Sequence, residues 1–428
     1  MRYSSIDSKL FIENRARFKK EMKPNSVAIF FSNDRLPRNA DGTLGFWQNT
    51  DLFYLSGIDQ EETILVMFPD CPNEDFREML FIRETNETIS IWEGQKLSKD
   101  QAEKNSGIRN IHWGNKWESL FPIVMNLAKN CYLNLNEHDR FVTTLQYADL
   151  RYALQIKERF PLHHYERSAP IMHALRSIKS APEIELMKHA CGITAKAWDR
   201  VLRFIKPGVN EYEIEAEIIH EFIRNGSRGH AYDPIIASGK NACVLHYVQN
   251  DQICKDGDMI LMDFGAEYAN YASDMTRCAP VNGRFTKRQK QVYNAVLKIF
   301  YAASNLLKPG TILKDYQDAV GAMMEKELAD LGLLTMDEIR NQNPASLAYK
   351  KYFMHGISHY LGLDVHDLGS RYQPMQENNV FTVEPGIYIL EEDLGIRIES
   401  DFLVTNGAAI NLMPSIIEAD EIEDIMNA

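Results

Sequence analysis

Apolar and polar positions alternate in two different ways along the chain. In the first part, short continuous apolar runs stand between amphipathic stretches, a pattern that is typical of buried strands separated by helices. The clearest of these runs are Ser26 to Ser32, Thr63 to Pro69 and Glu78 to Arg83. The strand pattern stops between residues 168 and 180. We therefore expect a smaller α/β domain at residues 1–170 and a second domain at residues 177–428.

The second part begins with a helix that the sequence marks at both ends. The segment Ser180 to Glu183 has the form of a capping box with Pro182 in the first turn. Helically spaced apolar residues follow from Ile184 to Ile205, and Lys206-Pro207-Gly208 ends the pattern. A second helix is predicted from Glu211 to Asn225.

The same order of elements occurs again 102 residues later. Thr286 to Gln289 forms another capping box, a helix runs to Leu307, and Lys308-Pro309-Gly310 ends it. A further helix is predicted from Leu313 to Leu331. A three-residue match alone is consistent with coincidence, but the shared order of helix pair and strand hairpins favours a duplication. We predict an α+β fold whose two halves are related by a pseudo-two-fold axis, with a site at their junction.

Acidic side chains end apolar runs in both halves. In the first half Asp263 ends the run Met259 to Met262, and Asp274 lies on the returning strand. In the second half Glu384 precedes a Pro-Gly turn, and Glu399 lies on a later strand. A single acid at a strand end is usually a solvated turn residue. Four acids in strongly apolar runs are costly to bury unless a cation neutralises them, which favours a metal site.

Histidines complete this candidate site. His355, His359 and His366 fall within twelve residues, and His246 lies in the first half. Four carboxylates and one imidazole suit hard divalent cations such as Mn²⁺, and two such cations balance four negative charges. Two cations that share a water molecule lower its pKa and polarise a carbonyl group, so the sequence predicts hydrolysis.

Other functions fit the sequence less well. The chain has 428 residues with 60 acidic and 47 basic side chains, and its net charge of −13 does not favour nucleic acid as a partner. His220-Glu221 is followed by Arg224 instead of a second histidine, so the HExxH zinc motif is absent. The amino terminus has no signal-peptide pattern, and no apolar run is long enough for a membrane span. We expect a cytoplasmic protein that binds neither membranes nor nucleic acid.

The order and spacing of the motifs resemble the aminopeptidase P branch of the pita-bread metallopeptidases, a group that also holds prolidase, methionine aminopeptidase and creatinase. The segments that carry the resemblance are MDFGAEY, SDMTR, HGISHYLGLDVHD, VEPGIY and IRIES, with FWQNTDLFYLSGIDQEETILVMFPD and ISIWEGQKL in the amino-terminal part. The resemblance implies a catalytic pita-bread domain with two divalent cations. It implies that Asp263 binds one cation, that Asp274 and Glu399 bridge both, and that His359 and Glu384 bind the second.

The resemblance also implies roles around these ligands. His246, His355 and His366 correspond to active-site histidines that hold the substrate and stabilise the transition state. Glu384 corresponds to a residue that helps to deprotonate the bridging water, which fits a carboxylate beside both cation and water. Arg397 would keep nearby carboxylates ionised, with an ordinary surface arginine as the alternative.

Two aromatic residues are candidate substrate contacts. Trp92 corresponds to a tryptophan that can reach the site of a neighbouring subunit, although core packing is the more common role of an isolated tryptophan. Tyr388 is a candidate wall for a proline ring, with a buried strand tyrosine as the alternative. We expect a homodimer or homotetramer.

The implied activity is removal of the amino-terminal residue from peptides whose second residue is proline. The scissile bond is a tertiary amide without an N–H group, so enzymes that need this N–H cannot cleave it. Mn²⁺ is the expected cation, with Zn²⁺, Co²⁺ and Fe²⁺ as alternatives. Prolidase, which cleaves Xaa-Pro dipeptides, is the nearest rival, and Arg371 is then a candidate to hold the free carboxylate. A peptide-binding module without catalysis is less favoured, because all five candidate ligands are present.

Overall fold

The computed structural model describes residues 2–428, which divide into two compact units. The amino-terminal unit comprises Ser5–Leu175, and the carboxy-terminal unit comprises residues 2–4 with Arg176–Ala428. Within residues 2–428, no helix combines the length and the apolar character that crossing a bilayer requires.

The amino-terminal unit combines one mixed sheet with surrounding helices. In chain order its elements are α1 (Ser8–Glu21), β1 (Ser26–Phe31), α2 (Thr50–Ser56), β2 (Ile64–Met67), β3 (Glu78–Ile82), α3 (Glu87–Trp92), α4 (Lys99–Ser106), β4 (Ile111–Trp113), α5 (Trp117–Leu127), β5 (Asn130–Leu133), α6 (Ala148–Arg159), β6 (His164–Arg167) and α7 (Ala169–Ser177), which ends just past the unit boundary.

The sheet has the strand order β4-β3-β2-β1-β5-β6. The β1–β2 and β2–β3 pairs are antiparallel, whereas β1–β5, β3–β4 and β5–β6 are parallel. All of β1 is buried, and Val27 and Ile29 belong to a cluster of apolar side chains that includes Val66 and Phe81 from the neighbouring strands. The three strands predicted from continuous apolar runs are confirmed, because such runs are buried on both faces of a sheet.

The carboxy-terminal unit repeats a helix pair followed by antiparallel strands. In chain order its elements are α8 (Ala181–Leu202), α9 (Glu211–Arg224), β7 (Ile235–Ser238), β8 (Met259–Asp263), β9 (Glu267–Tyr268), β10 (Tyr271–Ala272), β11 (Thr276–Pro280), α10 (Lys287–Ser304), α11 (Leu313–Asp330), α12 (Met336–Arg340), β12 (Val380–Val383), β13 (Gly386–Ile389), β14 (Leu394–Arg397), β15 (Ser400–Leu403), β16 (Ile410–Asn411) and α13 (Ala419–Met426).

Capping residues set the starts of the long helices. The side chain and backbone of Ser180 bond with Glu183 in a capping box, with a proline in the first turn of α8, and Thr286 and Gln289 form the same arrangement at α10. Both predicted capping boxes are confirmed. The helices end at Leu202 and Ser304, each three residues earlier than predicted from the apolar pattern, because the last apolar side chains belong to the turns that follow.

Three small antiparallel sheets bring distant segments side by side. The strand orders are β11-β8-β7, β12-β15-β16 and β13-β14. In the first sheet Asp263 at the end of β8 lies opposite Thr276 at the start of β11. In the third, Gly386 lies opposite Arg397. Asp263 is thus at a strand end, whereas the other predicted acids lie in the turns and links that follow strands.

Candidate metal centre

Two of the predicted metal ligands lie near the β8–β11 pair. Asp263 is the last residue of β8, as predicted. Asp274 is not on the returning strand: the short hairpin β9–β10 comes first, and Asp274 lies in the link that follows, two residues before β11. Side chains along a strand point alternately to opposite faces, but a side chain in an irregular link is not bound by this rule. The carboxylates of Asp263 and Asp274 can therefore point in the same direction.

A tyrosine that the motifs do not contain joins these two acids. The hydroxyl oxygen of Tyr232 lies 2.6 Å from a carboxylate oxygen of Asp263 and 2.6 Å from one of Asp274. Behind the pair, the backbone N–H of Asp274 donates to the buried carboxylate of Asp401 over 3.0 Å. Sequence reasoning missed both residues, because each lies outside the apolar run or turn that marks the ligands.

Glu399 approaches from the second half of the unit. It lies in the two-residue link between β14 and β15 rather than on a strand, which corrects the prediction. The Thr276 hydroxyl donates to its carboxylate over 2.7 Å, and its backbone N–H donates to the Thr276 carbonyl over 3.0 Å. Glu399 is 2% exposed, so its carboxylate is shielded from solvent.

His359 and Glu384 face the acids from two further segments. Glu384 follows β12 directly. His359 lies in an irregular loop, and its backbone carbonyl accepts a hydrogen bond from the N–H of Thr382 in β12 over 3.0 Å. The His359 Nε2 atom lies 3.4 Å from Asp274 Oδ2 and 3.8 Å from Glu384 Oε1. Ligand atoms of Asp274, His359 and Glu399 all lie within 4.8 Å of one another, which is a spacing that one cation can span.

The tautomer of His359 is fixed by a backbone carbonyl. Its Nδ1 atom lies 2.9 Å from the Tyr360 carbonyl oxygen. Because a carbonyl oxygen only accepts hydrogen bonds, Nδ1 carries the hydrogen and Nε2 presents its lone pair to the acids once it has lost its proton. This arrangement is the usual one for a histidine that binds a metal ion.

Three of the four crowded carboxylates resist ionisation, whereas for Asp274 the hydrogen bond and charge of His359 outweigh burial and lower the pKa. Burial, reinforced by the other acids, raises the pKa of Glu384 to about 7 and that of Glu399 well above its ordinary value. Burial also raises the pKa of Asp263, against the opposing charge of Arg397. For His359 burial lowers the pKa, but the hydrogen bond to Asp274 and the charge of Glu384 outweigh it and raise the pKa to about 9. Together these groups lack the positive charge that would let them all ionise.

Divalent cations fit this set of donors. Four carboxylates and one correctly oriented imidazole are ligands that hard or borderline divalent cations accept, and their mutual repulsion is relieved by positive charge between them. The side chains of Asp263, Asp274, His359 and Glu384 remain 6% to 18% exposed, so they border a region that solvent reaches.

Arg397 is a buried arginine and not a surface one. It is 4% exposed, and its guanidinium donates to Asp263 over 2.7 Å, to the Thr276 hydroxyl over 2.9 Å and to the Tyr388 hydroxyl over 2.8 Å. The alternative of an ordinary strand arginine is therefore wrong.

Tyr388 is 2% exposed, as the alternative of a buried strand tyrosine predicts, so its ring offers little surface as the predicted wall for a proline ring.

The remaining histidines lie around the acids without replacing them. His355 places Nδ1 3.4 Å from Glu384 and Nε2 2.8 Å from the Tyr388 hydroxyl. Burial, with the charge of Arg397, lowers the pKa of His355 to about 3, so it is neutral at pH 7. The ring of His366 stands perpendicular to that of His359 with centroids 4.5 Å apart. His246 is exposed in the loop before β8.

Trp92 does not pack in the core. It is the last residue of α3, and 82% of its surface is exposed. The core-packing interpretation is therefore wrong. The helix Glu87–Trp92 has only six residues, too few to give a periodic pattern from which the direction of the Trp92 side chain can be read.

The comparisons with known proteins agree with this fold and donor set. Residues 185–406 match metallopeptidase family M24, and residues 11–132 match the amino-terminal domain of aminopeptidase P. The chain belongs to the aminopeptidase P family of M24 metallopeptidases, and the predicted α+β pita-bread fold with its preceding α/β domain is confirmed.

Relatives match over nearly the whole chain. Xaa-Pro aminopeptidase of Escherichia coli is 34% identical and covers 99% of each chain, and Xaa-Pro aminopeptidase 3 of Homo sapiens is 31% identical over 94% of this chain and 80% of that protein. A solved variant of E. coli aminopeptidase P in complex with substrate has a TM-score of 0.88, with 34% identity and 99% coverage of each chain. The same E. coli protein has been solved with the inhibitor Pro-Leu and, substituted with zinc, with product.

Proposed function

We propose that this protein is a metal-dependent Xaa-Pro aminopeptidase, which hydrolyses the bond between an amino-terminal residue and a following proline. The observation that carries the proposal is the meeting of four acids and one histidine from five separate segments in a chain of this family. Its named relatives are Xaa-Pro aminopeptidases, which favours this activity over that of a prolidase.

The cations would be held by the five predicted ligands. These are Asp263, Asp274, His359, Glu384 and Glu399. Divalent cations at this site would supply Lewis acidity, which polarises a peptide carbonyl group and makes a water molecule easier to deprotonate. We infer two cations, because two positive ions balance four carboxylates, and Mn²⁺ as their identity, because oxygen donors dominate. The relative solved with zinc supports a divalent ion.

Glu384 is suited to hold and release a proton. In the metal-free protein its pKa is raised to about 7, chiefly by burial. With cations bound, a carboxylate beside both a cation and a water molecule would be well placed to accept the proton of that water. Its side chain is 18% exposed, so a water molecule or the leaving nitrogen can approach it. The proline nitrogen has no hydrogen of its own, so it must receive this proton to leave.

The surrounding side chains orient substrate and ligands. Neutral His355 donates its one N–H from Nδ1 to the Gly356 carbonyl and accepts the Tyr388 hydroxyl at Nε2, so its ring is held in place beside Glu384, where it is a candidate for contacting the peptide. His246 and His366 are the further candidates for binding the peptide. Arg397 holds Asp263 in its ionised form through a 2.7 Å contact, so that this ligand stays ready for a cation.

Further features of the proposal concern the whole protein. A homodimer or homotetramer is consistent with the exposed Trp92, whose side chain is then available to a neighbouring subunit. We place the two domains at residues 1–170 and 177–428 and infer a cytoplasmic enzyme. The preferred substrates are peptides of at least three residues with proline second.

A paired peptide assay tests the activity. Purified protein with added Mn²⁺ is incubated with a Xaa-Pro-Yaa tripeptide and with the Xaa-Pro dipeptide, and the released amino-terminal residue is quantified. We expect efficient cleavage of the tripeptide and loss of activity after chelation. Efficient turnover of the dipeptide alone would identify a prolidase, and binding of the tripeptide without cleavage would identify a peptide-binding module.

A further inference from the structure

A buried network of charges lies beside the loop that carries His359 and His366. Lys179 donates to Asp367 over 2.9 Å, and Arg176 donates to both Asp367 and Asp364, the latter over 2.6 Å. The side chains of Lys179, Arg176 and Asp367 are 1%, 2% and 1% exposed. Two positively charged side chains that precede α8 thus contact one carboxylate about 190 positions further along the chain.

The loop is shaped to bring Asp367 close to these cations. A Cβ atom placed on Gly362 would lie 2.1 Å from Asp367 Oδ2 and 2.9 Å from Lys179 Cε, distances that real Cβ atoms do not show. The Gly362 carbonyl in turn accepts from the Ala272 N–H over 2.8 Å. Glycine is therefore required here for the close approach of the loop to the ion pair.

One carbonyl oxygen connects the network to the candidate metal ligand. The Tyr360 carbonyl accepts the backbone N–H of Asp367 over 2.9 Å, and the same oxygen lies 2.9 Å from His359 Nδ1. His366 directly precedes Asp367, so the same anchored segment sets the position of the ring that stands 4.5 Å from His359. The position of Asp367 therefore determines the surroundings of both histidines.

Stability alone is a poor reason for such a network. Removing lysine and arginine from water is costly, and an apolar pair of similar volume often gives equal or greater stability. Two charged hydrogen bonds fix the position of a carboxylate, even where they add nothing to the stability of the fold.

We propose that Arg176 and Lys179 are positioning residues for the metal centre, which hold Asp367 so that the Tyr360 carbonyl fixes the tautomer and orientation of His359. This proposal rests on the proposed metal-dependent function. Both residues act on His359 through Asp367. The network thus determines whether the Nε2 lone pair of His359 is directed at the cation.

Two variants disturb Asp367 in different ways. Lys179→Met removes one of the two positive charges that contact Asp367, at nearly constant side-chain volume. Gly362→Ala displaces the Asp367 carboxylate without removing any charge. Arg15→Met is the matched control, because Arg15 is also a buried cation paired with a glutamate, but it lies in the amino-terminal unit. All three are made in the full-length protein, and their melting temperatures are recorded.

Binding of Co²⁺ to the metal-stripped proteins is measured by calorimetric titration, and kcat and KM for a Xaa-Pro-Yaa tripeptide are measured at saturating Mn²⁺. Loss of an interaction that orients a metal ligand typically weakens metal binding 10- to 100-fold. We expect Lys179→Met and Gly362→Ala to weaken Co²⁺ binding at least about tenfold and to lower kcat more than they change KM. Arg15→Met should match the wild type in both.

A second readout does not depend on activity. In the metal-free proteins labelled with ¹⁵N-histidine, the Nδ1–H resonance of His359, assigned by its loss in His359→Ala, should persist in Arg15→Met and be lost or shifted in both network variants. Wild-type Co²⁺ affinity and an unchanged His359 resonance in Lys179→Met would overturn the proposal even if its melting temperature falls. If the wild type binds Co²⁺ but does not cleave the tripeptide, the proposed function fails and the positioning role is still decided by the Co²⁺ titration.

Discussion

The ionisation of Glu384 should make the metal-free protein less stable at alkaline pH. Burial raises the pKa of this carboxyl group from 4.5 to about 7. A group with a raised pKa contributes stability that is fully present below its unfolded pKa, and this stability is lost as the pH rises through the folded pKa. Because one pH unit is worth about 1.4 kcal/mol, the contribution of Glu384 falls by about 2 to 3 kcal/mol between pH 5 and pH 8.

The variant Glu384→Gln isolates this contribution, since an amide keeps the shape of the side chain and does not ionise. Urea unfolding of both metal-stripped proteins at pH 5 and pH 8 gives the difference in unfolding free energy at each pH. Between pH 5 and pH 8, we expect the unfolding free energy of the wild type to fall by about 2 to 3 kcal/mol relative to that of Glu384→Gln. Saturating Mn²⁺ should abolish this fall, because the cation compensates the charge. A difference that stays constant between the two pH values without metal would refute the reasoning.

Three further predictions follow from single side chains. Asp263→Ala should empty at least one metal position and lower turnover by orders of magnitude, as measured by metal analysis and peptide assay. Arg397→Met leaves Asp263 without its 2.7 Å partner and should weaken Co²⁺ binding more at pH 6 than at pH 8, as measured by titration, since the unpaired carboxyl then holds its proton. Burial raises the pKa of Asp149 to about 8, so Asp149→Asn should stabilise the protein more at pH 9 than at pH 6 in urea unfolding; equal effects at both pH values would contradict this.

Much of the fold could be predicted because local signals and burial agree in this sequence. Capping boxes at Ser180 and Thr286 mark helix starts through bonds between residues only three apart. Continuous apolar runs mark β1, β2 and β3, because such runs are stable only where both strand faces are buried. The helix ends were less predictable, since an apolar residue packs equally well from a helix or from the turn after it.

The candidate site was predictable where a motif marks it. Asp263 and Glu384 stand at the end of an apolar run before a turn, and family resemblance supplied the grouping with His359. The sequence pattern predicts strands at the links that hold Asp274 and Glu399, because one or two irregular residues do not interrupt an apolar pattern.

The partners of the ligands could not be predicted from local sequence. Tyr232 contacts acids 31 and 42 residues away, and Lys179 contacts a carboxylate 188 residues away. Such contacts depend on how the loops are folded together, which no periodic pattern encodes. The exposure of Trp92 was likewise not predictable, because its helix of six residues is too short for a periodic pattern to show which face is buried.

The most direct test of the account is to locate the cations themselves. Crystals grown with Mn²⁺ and measured at a wavelength where manganese scatters anomalously show each ion as a separate peak. We predict two peaks about 3.5 to 4 Å apart, with Asp274 and Glu399 between them and His359 Nε2 on one ion. An absence of peaks among these side chains, or peaks bound only by other residues, would contradict it.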